Sequence, residues 1–480
     1  MTDQVLETAV PVELPEQVEV VNVGLPLFAA AVTAQDRPAV QVDWRIPGGG
    51  DPTVVAALRR LSGPLTAGID AANAEVLRRL DTGTAMLTGI RAGREVVPEL
   101  TGLTLLLPGP QLELARACDP LRRSMRAAVV AEGWADDVGA ADTLLTSGAV
   151  RLVPANEVGV VVPMATVMGP TTPVWVVEVE QGGTAAYAPL GQGAGDVAWF
   201  GRDTPAACER LVFLREAVAP VLSAALRDSD PVDVMSFATQ ALAMGDDVHI
   251  RAQAATNLLL KHLLAGLVGS DHPRRVEVAR FLSGNYLLFL TLGMAAARAL
   301  TAWASQVSGG SIVTTMARNG TDFGAKLGGD DTWFLAPAPM VGHALYHPGK
   351  TEKDAAPDIG DSAVLELVGL GGAAAAGSPA VGQLVGGMAA AAELTEDLDR
   401  VCVGRSSRFT LPTYGGRGTP LGVDVRKVVE YSITPKVTTG ILHVSDGSGQ
   451  VGAGLAEAPL DCFREALLSL DARLSPRSQP

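Results

Sequence analysis

The segment Ser311-Ile-Val-Thr-Thr-Met-Ala-Arg-Asn-Gly-Thr-Asp-Phe-Gly324 is the stretch around which the rest of the chain can be organised. Its β-branched first half is typical of a strand. Asn319-Gly320 then favours a tight turn with positive φ. Arg318 and the backbone amides after the strand suit a carboxylate or a phosphate, because a guanidinium offers a fork of N–H donors. A hairpin turn with polar side chains explains the same residues, so the pattern alone leaves both interpretations open.

Length and composition indicate a multidomain protein with no nucleic-acid or membrane partner. A chain of 480 residues is too long for one hydrophobic core. The net charge of −15 opposes binding to nucleic-acid phosphates. Residues 1–20 contain no Lys or Arg, which argues against a signal peptide, and the apolar runs are interrupted before they reach the length of a membrane span. The four cysteines form no CxxC pair and predict reduced thiols, so we expect a cytoplasmic location.

The order of predicted elements indicates a multidomain α/β fold. We expect an N-terminal Rossmann-like βαβ sheet, a helical domain in the middle and a Gly-rich α+β domain at the C-terminus. The predicted boundaries are residues 1–145 for the Rossmann-like α/β domain, 146–205 for a β-rich segment, 206–308 for the helical domain and 309–480 for the Gly-rich α/β domain.

The N-terminal βαβ unit is predicted from a buried strand at residues 18–23, a helix at 27–34 and a strand at 39–44. Such a unit pairs its strands in parallel, and ligands bind beyond the carboxyl ends of parallel strands. This rule selects four residues as candidate substrate contacts: Asn22, Gly24, Asp43 and Arg45.

Further elements are predicted from hydrophobic periodicity and from the positions of Gly and Pro. The predicted helices span residues 52–61, 70–80, 121–134, 372–392 and 461–470, and the predicted strands span 103–107, 158–164, 174–180, 428–433 and 440–444.

A continuous helix is predicted for residues 233–264, where it would carry a polar stripe on an otherwise apolar surface. The stripe consists of Asp246, His249, Gln253, Asn257 and Lys261. It would either line a cleft or face solvent, and a solvated face is the more common outcome for a helix. Gly245 would lie within this helix at a cost of about 1 kcal/mol. Asn285, in the next apolar helix, requires a protein or ligand partner if it is buried.

Two further polar clusters contain carboxylates and an arginine but no nucleophile. They consist of Asp354, Asp358, Asp361 and Ser362, and of Asp424 with Arg426. Together with Arg318, these groups suit binding of a small polar anion or a ureide, with catalysis by positioning and charge stabilisation. The sequence contains no cluster of His and Cys, so no metal and no cofactor are expected.

Two motif resemblances have better explanations. Gly349-Lys350-Thr351 ends like a phosphate-binding P-loop, but Ala344 occupies the position of the first glycine. Residues 369–374 partly fit the glycine pattern of a dinucleotide fold, but no strand with an acidic end follows them. Close helix packing explains those glycines better.

Six sequence blocks resemble the DUF1116 family, which includes a subunit of the oxamate carbamoyltransferase of anaerobic allantoin breakdown. The blocks are Val21-Asn-Val-Gly-Leu-Pro-Leu-Phe28, Gln41-Val-Asp-Trp-Arg45, Met244-Gly-Asp-Asp247 with His249 and Arg251, Met316-Ala-Arg-Asn-Gly-Thr321, Asp358-Ile-Gly-Asp-Ser362 and Gly422-Val-Asp-Val-Arg426. The likeness runs from about residue 18 to residue 463. It implies a multidomain α/β protein with a helical insert that acts with two other subunits. The implied reaction moves a carbamoyl group between oxalurate and phosphate, giving oxamate and carbamoyl phosphate.

The resemblance and the polar clusters together predict a carbamoyltransferase-type subunit. Its expected partners are a small anionic or ureido substrate, phosphate or carbamoyl phosphate, other subunits of a complex, and copies of itself. The predicted catalytic residues are Asp246, His249, Arg251, Arg318 and Asp361. The predicted substrate-binding residues are Asn22, Gly24, Asp43, Arg45, Asn257, Asn285, Thr315, Asn319, Gly320, Thr321, Asp358 and Ser362. Arg318, Asn319 and Gly320 would bind the phosphate or carboxylate, whereas Asp246, His249 and Arg251 would orient the carbamoyl group.

A non-catalytic structural or metabolite-binding subunit of a heteromeric complex is the alternative. Thr291, Ile250 and Ala252 stand where members of the resembled family carry Asn, and losing polar groups from a pocket changes its ligand. A third hypothesis, a nucleotide-using ligase component, rests on the short segment at residues 349–351.

Overall fold

A computed structural model describes residues 19–42 and 46–475 of the chain as a mixed α/β fold. Its strands are β1 (Val20–Val23), β2 (Ala39–Val42), β3 (Ala85–Ala92), β4 (Thr104–Leu107), β5 (Arg151–Pro154), β6 (Pro173–Val179), β7 (Ala185–Pro189), β8 (Val313–Asn319), β9 (Asp322–Leu327), β10 (Phe334–Pro337), β11 (Val341–Tyr346), β12 (Ile359–Gly360), β13 (Cys402–Leu411), β14 (Arg417–Val423), β15 (Lys436–Leu442) and β16 (Gln450–Glu457).

Helices connect and cover these strands. They are α1 (Pro26–Thr33), α2 (Pro52–Leu61), α3 (Thr66–Thr82), α4 (Gly93–Val96), α5 (Asp119–Ala131), α6 (Val138–Thr146), α7 (Pro205–Phe213), α8 (Ala219–Arg227), α9 (Val234–Ala243), α10 (Gln253–Gly269), α11 (Arg275–Gly284), α12 (Leu288–Ala304), α13 (Pro379–Val385), α14 (Met388–Val401), α15 (Val425–Tyr431) and α16 (Leu460–Leu474).

The strands form several small sheets. Two pairs are parallel, β1 with β2 and β4 with β5, and each has its connecting helices between the two strands. The remaining sheets are antiparallel and have the strand orders β3-β6-β7, β10-β9-β8-β12, β11-β16-β15 and β13-β14. The predicted α/β class is therefore confirmed, whereas the predicted domain boundaries stay a prediction.

The N-terminal βαβ unit is confirmed, but its first strand is not buried as predicted. β1 and β2 pair in parallel and α1 begins at Pro26. Val21 and Val23 are nonetheless largely exposed, because one short helix covers only one face of a two-stranded sheet. Within the described ranges, no hydrogen bond or ion pair joins residues 19–42 to residues 46–475.

Helix α12 lies at the centre of the largest core. Nearly every one of its side chains is apolar and buried, which is typical of a helix that is surrounded by other elements. It packs against β6 and β7 on one side and α9 and α10 on another. The helices of residues 205–304 therefore share one hydrophobic core with the β3-β6-β7 sheet.

The hairpin predicted at Asn319-Gly320 is confirmed. β8 ends at Asn319 and β9 begins at Asp322, and Gly320 has a φ of +80°. The side-chain Oδ1 of Asn319 accepts hydrogen bonds from the amides of Thr321 and Asp322, which stabilises the turn.

The continuous helix predicted for residues 233–264 is wrong. Helix α9 ends at Ala243 and α10 begins at Gln253. Gly245 and Val248 between them have φ values of +90° and +64°, which a right-handed helix does not allow. Gly245 therefore occupies a turn rather than a helix interior, and the predicted polar stripe does not exist as one helix face.

Several smaller predictions also differ from the structure. Residues 158–164 contain only an isolated bridge at Val160, because Gly159 adopts a φ of +74° and interrupts the extended run. Residues 428–433 fall mostly in helix α15, whose first turn is capped by Asp424. The helix predicted for residues 372–392 is divided between a 3-10 segment, α13 and α14, because Gly386 and Gly387 have positive φ.

The four cysteines are free thiols, as predicted, and three of them are buried. Across residues 19–42 and 46–475, no single helix is long and apolar enough to cross a membrane. Helices α11 and α12 reach that length and composition only together, and they are bent by 78° relative to each other.

Candidate active site

Arg318 and Asp358 form a bidentate ion pair that is closed to solvent. Arg318 Nε lies 2.6 Å from Asp358 Oδ2 and Nη2 lies 3.1 Å from Oδ1, and both side chains have no exposed surface. Nη1 donates to the carbonyl of Gly360 at 2.7 Å, and Thr439 Oγ1 donates to Asp358 Oδ1 at 3.0 Å. The donors of Arg318 are therefore bound to protein acceptors rather than directed at an open space.

Asp361 lies beside this pair, at the carboxyl ends of the parallel strands β4 and β5. Its carboxylate accepts hydrogen bonds from the amides of Gly109 at 2.8 Å and Val162 at 3.0 Å. Burial nevertheless raises the pKa of Asp361 to about 7, because a charged carboxylate is costly to remove from water. The two amides and the charge of Arg318 partly offset this effect.

Gly360, between these two carboxylates, requires the conformational freedom of glycine. Its φ is +118°, and a Cβ atom would lie 2.4 Å from the backbone nitrogen of Met164. The close approach brings the segment after β12 against the segment that follows β5, and this contact fixes the position of Asp361.

His249 and Glu366 form a second buried polar pair. His249 Nδ1 lies 3.0 Å from Glu366 Oε1. Glu366 also accepts hydrogen bonds from the amides of Gly372 at 2.6 Å and Thr438 at 3.3 Å, and burial raises the pKa of its carboxyl. These contacts fix the ring of His249, whose Nε2 has no hydrogen-bond partner among the described residues.

Asp246 and Asp247 organise the loop that carries His249. Asp247 accepts hydrogen bonds from the amides of Ile250 at 3.1 Å and Arg251 at 2.8 Å. Asp246 accepts one from the amide of Ala255 at 3.0 Å, near the start of α10, and pairs with Arg251 Nε at 3.2 Å. Burial raises the pKa of both carboxyls, that of Asp246 to about 6. The loop is thus held by its own carboxylates rather than by helical hydrogen bonds.

A cavity of about 210 Å³ lies next to His249 and Thr439. Its polar lining includes His249, Tyr286, Ser362, Thr438, Thr439 and Gln450. Its apolar walls include Met164, Trp199, Phe200, Leu287 and Leu290. An apolar cavity with a few convergent polar groups is the usual form of a small-molecule site, and this one is the candidate active site.

Of the predicted residues, His249 and Ser362 line this cavity. The Arg318–Asp358 pair lies behind Thr439, Asp361 precedes Ser362 in the chain, and Asp246 and Arg251 belong to the loop that carries His249. Asn319, Gly320 and Thr321 form the hairpin turn next to the Arg318 pair. The Nδ2 of Asn319 donates to the carbonyl of Pro110, and Thr321 Oγ1 donates to that of Arg116, so both side chains hold neighbouring segments.

Other predicted site residues lie elsewhere. Asn22 bonds to Leu25 and Gln41 inside the βαβ unit, where Gly24 also lies. Asp43 and Arg45 lie outside the described residues. Asn257 is exposed on α10 and accepts a hydrogen bond from Gln253, and Asn285 is buried and donates to the carbonyl of Gly191. Thr315 lines a different cavity.

Sequence reasoning missed several residues of this site: Asp247, Glu366, Thr438 and Thr439. One signal was available for Glu366, which is the single charged residue in the apolar run 363–376. A lone buried carboxylate must have a partner. The two threonines gave no such signal, because β-branched residues are ordinary in a strand.

Among residues 19–42 and 46–475, no group of three or more His, Cys, Asp or Glu side chains is placed to hold a metal ion. The fold and the cavity define the class of protein: a mixed α/β protein with a buried ion pair and a buried histidine–carboxylate pair next to a candidate small-molecule cavity.

Comparison with known proteins gives the family. The family model described as oxamate carbamoyltransferase subunit AllG matches residues 150–362. The chain is 36% identical over 406 residues to oxamate carbamoyltransferase subunit AllG of Escherichia coli strain K12, covering 83% of this chain and 97% of that protein. It therefore belongs to the AllG family.

Two other relatives extend the similarity. The uncharacterized protein YahG of Escherichia coli strain K12 is 32% identical over 458 residues, which is 94% of this chain and 97% of that protein. The crystal structure of a conserved protein of unknown function from Enterococcus faecalis V583 superimposes with a TM-score of 0.83 at 33% identity, covering 86% of this chain and 99% of that one.

Proposed function

We propose that this chain is a carbamoyltransferase-type subunit whose 210 Å³ cavity binds a small ureido or amide acid. Its membership of the AllG family supports the reaction class, which is carbamoyl transfer between oxalurate and phosphate or a variant of that reaction on a related substrate. The observation that carries the proposal is the His249–Glu366 pair at the cavity wall, with the second ring nitrogen of His249 unbound.

His249 is suited to handle the proton of this reaction. When phosphate attacks the carbamoyl carbon of oxalurate, the bond from that carbon to the oxamate nitrogen breaks and the nitrogen takes up a proton. A histidine fixed through Nδ1 can deliver a proton from Nε2, and general acid–base catalysis of this kind contributes about 10²- to 10⁴-fold. Glu366 would act as a positioning residue by holding the ring.

The hydroxyl groups beside His249 suit the carbamoyl oxygen. Ser362 and Thr438 line the same cavity, and the contact of Thr438 Oγ1 with Asp247 Oδ2 is long, at 3.4 Å. Thr439 also lines the cavity, but its hydroxyl proton is already donated to Asp358. Negative charge develops on the carbamoyl oxygen during transfer, and hydrogen-bond donors fixed in a largely apolar site stabilise such charge. Thr439 donates a hydrogen bond to Asp358, so the Arg318–Asp358 pair fixes the position of one residue of the cavity wall.

The geometry changes the role that we assign to Arg318. Because Asp358 and the carbonyl of Gly360 occupy its donors, Arg318 would position the floor of the site rather than bind the phosphate or carboxylate directly. Asp361 would act with it in fixing the segment that carries Ser362.

We infer that the chain acts as one subunit of an assembly, as the name of its Escherichia coli relative states for that protein. The βαβ unit supports this inference. Leu27 and Phe28 on α1 are 64% and 57% exposed, and Val21 and Val40 of the sheet are also largely exposed. Apolar side chains grouped in this way mark an interaction surface, and another subunit would cover them.

One observation favours the alternative of a metabolite-binding subunit without its own chemistry. None of the residues that line the 210 Å³ cavity is Lys or Arg. An anionic substrate would therefore have no direct counter-charge there, unless a partner subunit or a neighbouring pocket provides it.

Titration of the purified chain with oxalurate, oxamate and carbamoyl phosphate tests the proposal, with the melting temperature as the readout. A ligand at about a hundred times its dissociation constant adds about 2.7 kcal/mol to the free energy of unfolding. The expected result is a shift with the carbamoyl compounds that the Thr438→Val variant reduces. The metabolite-binding alternative would be favoured if a carbamoyl compound raises the melting temperature but is not turned over when the other subunits are present. No shift with any of the three would contradict both.

A further inference from the structure

A second cavity lies farther along α12, toward its C-terminal end. It has a volume of about 140 Å³ and a mostly polar lining that includes Asn156, Arg298, Thr314 and Thr315. Leu290 lines the first cavity and Arg298 lines this one. Because a helix rises 1.5 Å per residue, the two positions are about 12 Å apart along α12.

Arg298 is a guanidinium without a carboxylate partner. It forms no ion pair with any described residue, and its Nη2 donates to the carbonyl of Asn156 at 3.0 Å. Its buried Nε has no hydrogen-bond acceptor in the structure. Burial lowers the pKa of Arg298, and the negative charges of Asp361 and Glu157 partly offset this effect. A buried guanidinium with an unused donor is costly unless an anion joins it.

Two other polar side chains of this cavity are deeply buried and lack partners. Thr314 is 2% exposed and its Oγ1 makes no hydrogen bond. Asn156 is 6% exposed and its Nδ2 has no acceptor in hydrogen-bonding geometry, although the amide is close enough to Asp361 to lower the pKa of that carboxyl. Such groups normally find partners, and their coincidence with an unused Arg donor points to a ligand.

The backbone brings two of these side chains to the cavity. The pairing of β8 with β9 shifts register between Val313 and Thr315, which leaves Thr314 as an extra residue in the strand. A bulge of this kind re-aims side chains, so that Thr314 and Thr315 both line the cavity although they are adjacent in a strand.

Three of the four other charged side chains that line the cavity, Glu157, Lys326 and Asp330, are paired within the protein. Lys326 Nζ lies 2.7 Å from Glu157 Oε1, and Arg473 Nη2 lies 3.2 Å from Asp330 Oδ2. Asp331 is exposed. Arg298 therefore contributes the uncompensated positive charge at the buried end.

We propose that the 140 Å³ cavity is a binding site for a small oxyanion, either inorganic phosphate or the carboxylate of a small amide acid, held by Arg298, Thr314 and Asn156. The Arg298 guanidinium provides the positive charge, and the Thr314 hydroxyl and the Asn156 amide are the further hydrogen-bond donors. The proposal concerns binding and does not depend on the proposed reaction.

Isothermal titration of the full-length chain tests this site, with inorganic phosphate, oxamate and the neutral diamide oxamide as probes. The wild-type chain should bind phosphate or oxamate, and whichever binds identifies the source of the oxyanion. Oxamide should bind at least tenfold more weakly than a binding anion, because it carries no charge. Arg298→Gln should weaken anion binding by about ten- to a hundredfold, since hydrogen bonds to charged groups have that magnitude.

Three further variants complete the experiment. Thr314→Val should weaken anion binding by about tenfold without lowering the melting temperature of the anion-free chain, because it removes an unpaired buried hydroxyl. This variant keeps the test valid if Arg298→Gln does not fold. Arg210→Gln is the matched control and should bind anions as the wild type does, because Arg210 also donates to one backbone carbonyl and forms no ion pair with a described residue. Arg298→Gln should lower anion affinity more than His249→Gln does, which assigns the anion to this cavity rather than to the first one.

The proposal is overturned if neither anion binds the wild-type chain or if oxamide binds as tightly as oxamate. It is also overturned if Thr314→Val binds anions as the wild type does, or if anion binding is lost in His249→Gln and retained in Arg298→Gln.

Discussion

Arg318 and Asp358 face each other across β8 and the start of β12, with two short N–H···O contacts and no exposed surface on either side chain. The pair also fixes Gly360 through its carbonyl and Thr439 through its hydroxyl. One ion pair therefore connects the central hairpin to the segment that carries Asp361 and Ser362.

Removing one partner of the buried pair should destabilise the fold strongly. Arg318→Met leaves the Asp358 carboxylate buried without its counter-charge, and such changes cost about 3–5 kcal/mol. The double variant Arg318→Met with Asp358→Leu should recover part of this loss. Denaturant titration measures both. Arg116→Met is the control, because the Arg116 side chain is 52% exposed in its pair with Asp322 and should contribute less than about 1 kcal/mol. Equal effects at Arg116 and Arg318 would contradict the prediction.

The stability of the chain should fall as the pH rises from about 4 to 7. The pKa of Asp361 is about 7 in the folded chain and 3.8 as its ordinary value, so in this window the folded chain holds a proton that the unfolded chain has released. The contribution of Asp361 to the free energy of unfolding is fully present below pH 3.8 and is lost as the pH rises through 7. The free energy of unfolding changes by up to about 1.4 kcal/mol per pH unit in this window.

Asp361→Asn should flatten this dependence, because an amide does not titrate. Asp246→Asn should reduce the fall in stability only below about pH 6, because burial raises the pKa of Asp246 to about 6. Melting temperatures measured from pH 4 to pH 8 give the comparison. Identical pH dependence in the wild type and Asp361→Asn would show that Asp361 does not titrate in this range.

Gly360→Ala should cost more than a glycine substitution at an open turn. The new Cβ would meet the Met164 backbone nitrogen at 2.4 Å, in addition to the strain of a positive φ. Gly349→Ala is the matched control, because its φ is +80° and its Cβ would meet no atom within 4 Å. We expect about 1–2 kcal/mol of destabilisation for the control and several kcal/mol for Gly360→Ala. Similar melting temperatures for the two variants would argue against close packing at Gly360.

His249→Gln should lower carbamoyl transfer by about 10²- to 10⁴-fold, because glutamine cannot exchange the proton that the reaction moves. Its side-chain N–H can still donate to Glu366, so we expect the variant to fold. The control is His262→Gln on α10, where the ring lies against the carbonyl of Asp230 and outside the cavity. Turnover assays with the partner subunits present measure the effect. Wild-type turnover in His249→Gln would remove this residue from the mechanism.

The double variant Leu27→Ser with Phe28→Ser should weaken association without changing the melting temperature. Both side chains are mostly exposed, so little buried area is lost from the folded chain itself. We expect sedimentation velocity to show self-association of the wild-type chain when its partner subunits are absent, and less of it in the variant. Leu264→Ser on α10 is the control, since that leucine is also exposed but lies outside the βαβ unit. A greater effect of the control would place the interface elsewhere.

Local patterns were sufficient where neighbouring residues decide the structure. Asn319-Gly320 favours positive φ at the glycine, and the hairpin forms there. Pro26 begins helix α1 because its fixed φ suits the first helical turn. The loop at residues 244–252 was missed because the apolar periodicity continues across it. Asp246 and Asp247 accept the hydrogen bonds that stabilise the break between the two helices. These bonds join groups within the loop and at the start of the next helix, and the hydrophobic period of the sequence contains no information about them.

The sequence by itself determined the mixed α/β class, the family and two polar residues that line the first cavity, His249 and Ser362. It did so because turn chemistry, hydrophobic period and short polar blocks are properties of neighbouring residues. Only the tertiary structure decided that Arg318 is bound by Asp358, that Glu366 holds His249, and that Arg298 retains an unused donor. Each of these depends on residues between 40 and about 140 positions apart, and a hydrogen bond between such residues exists only once the chain has folded.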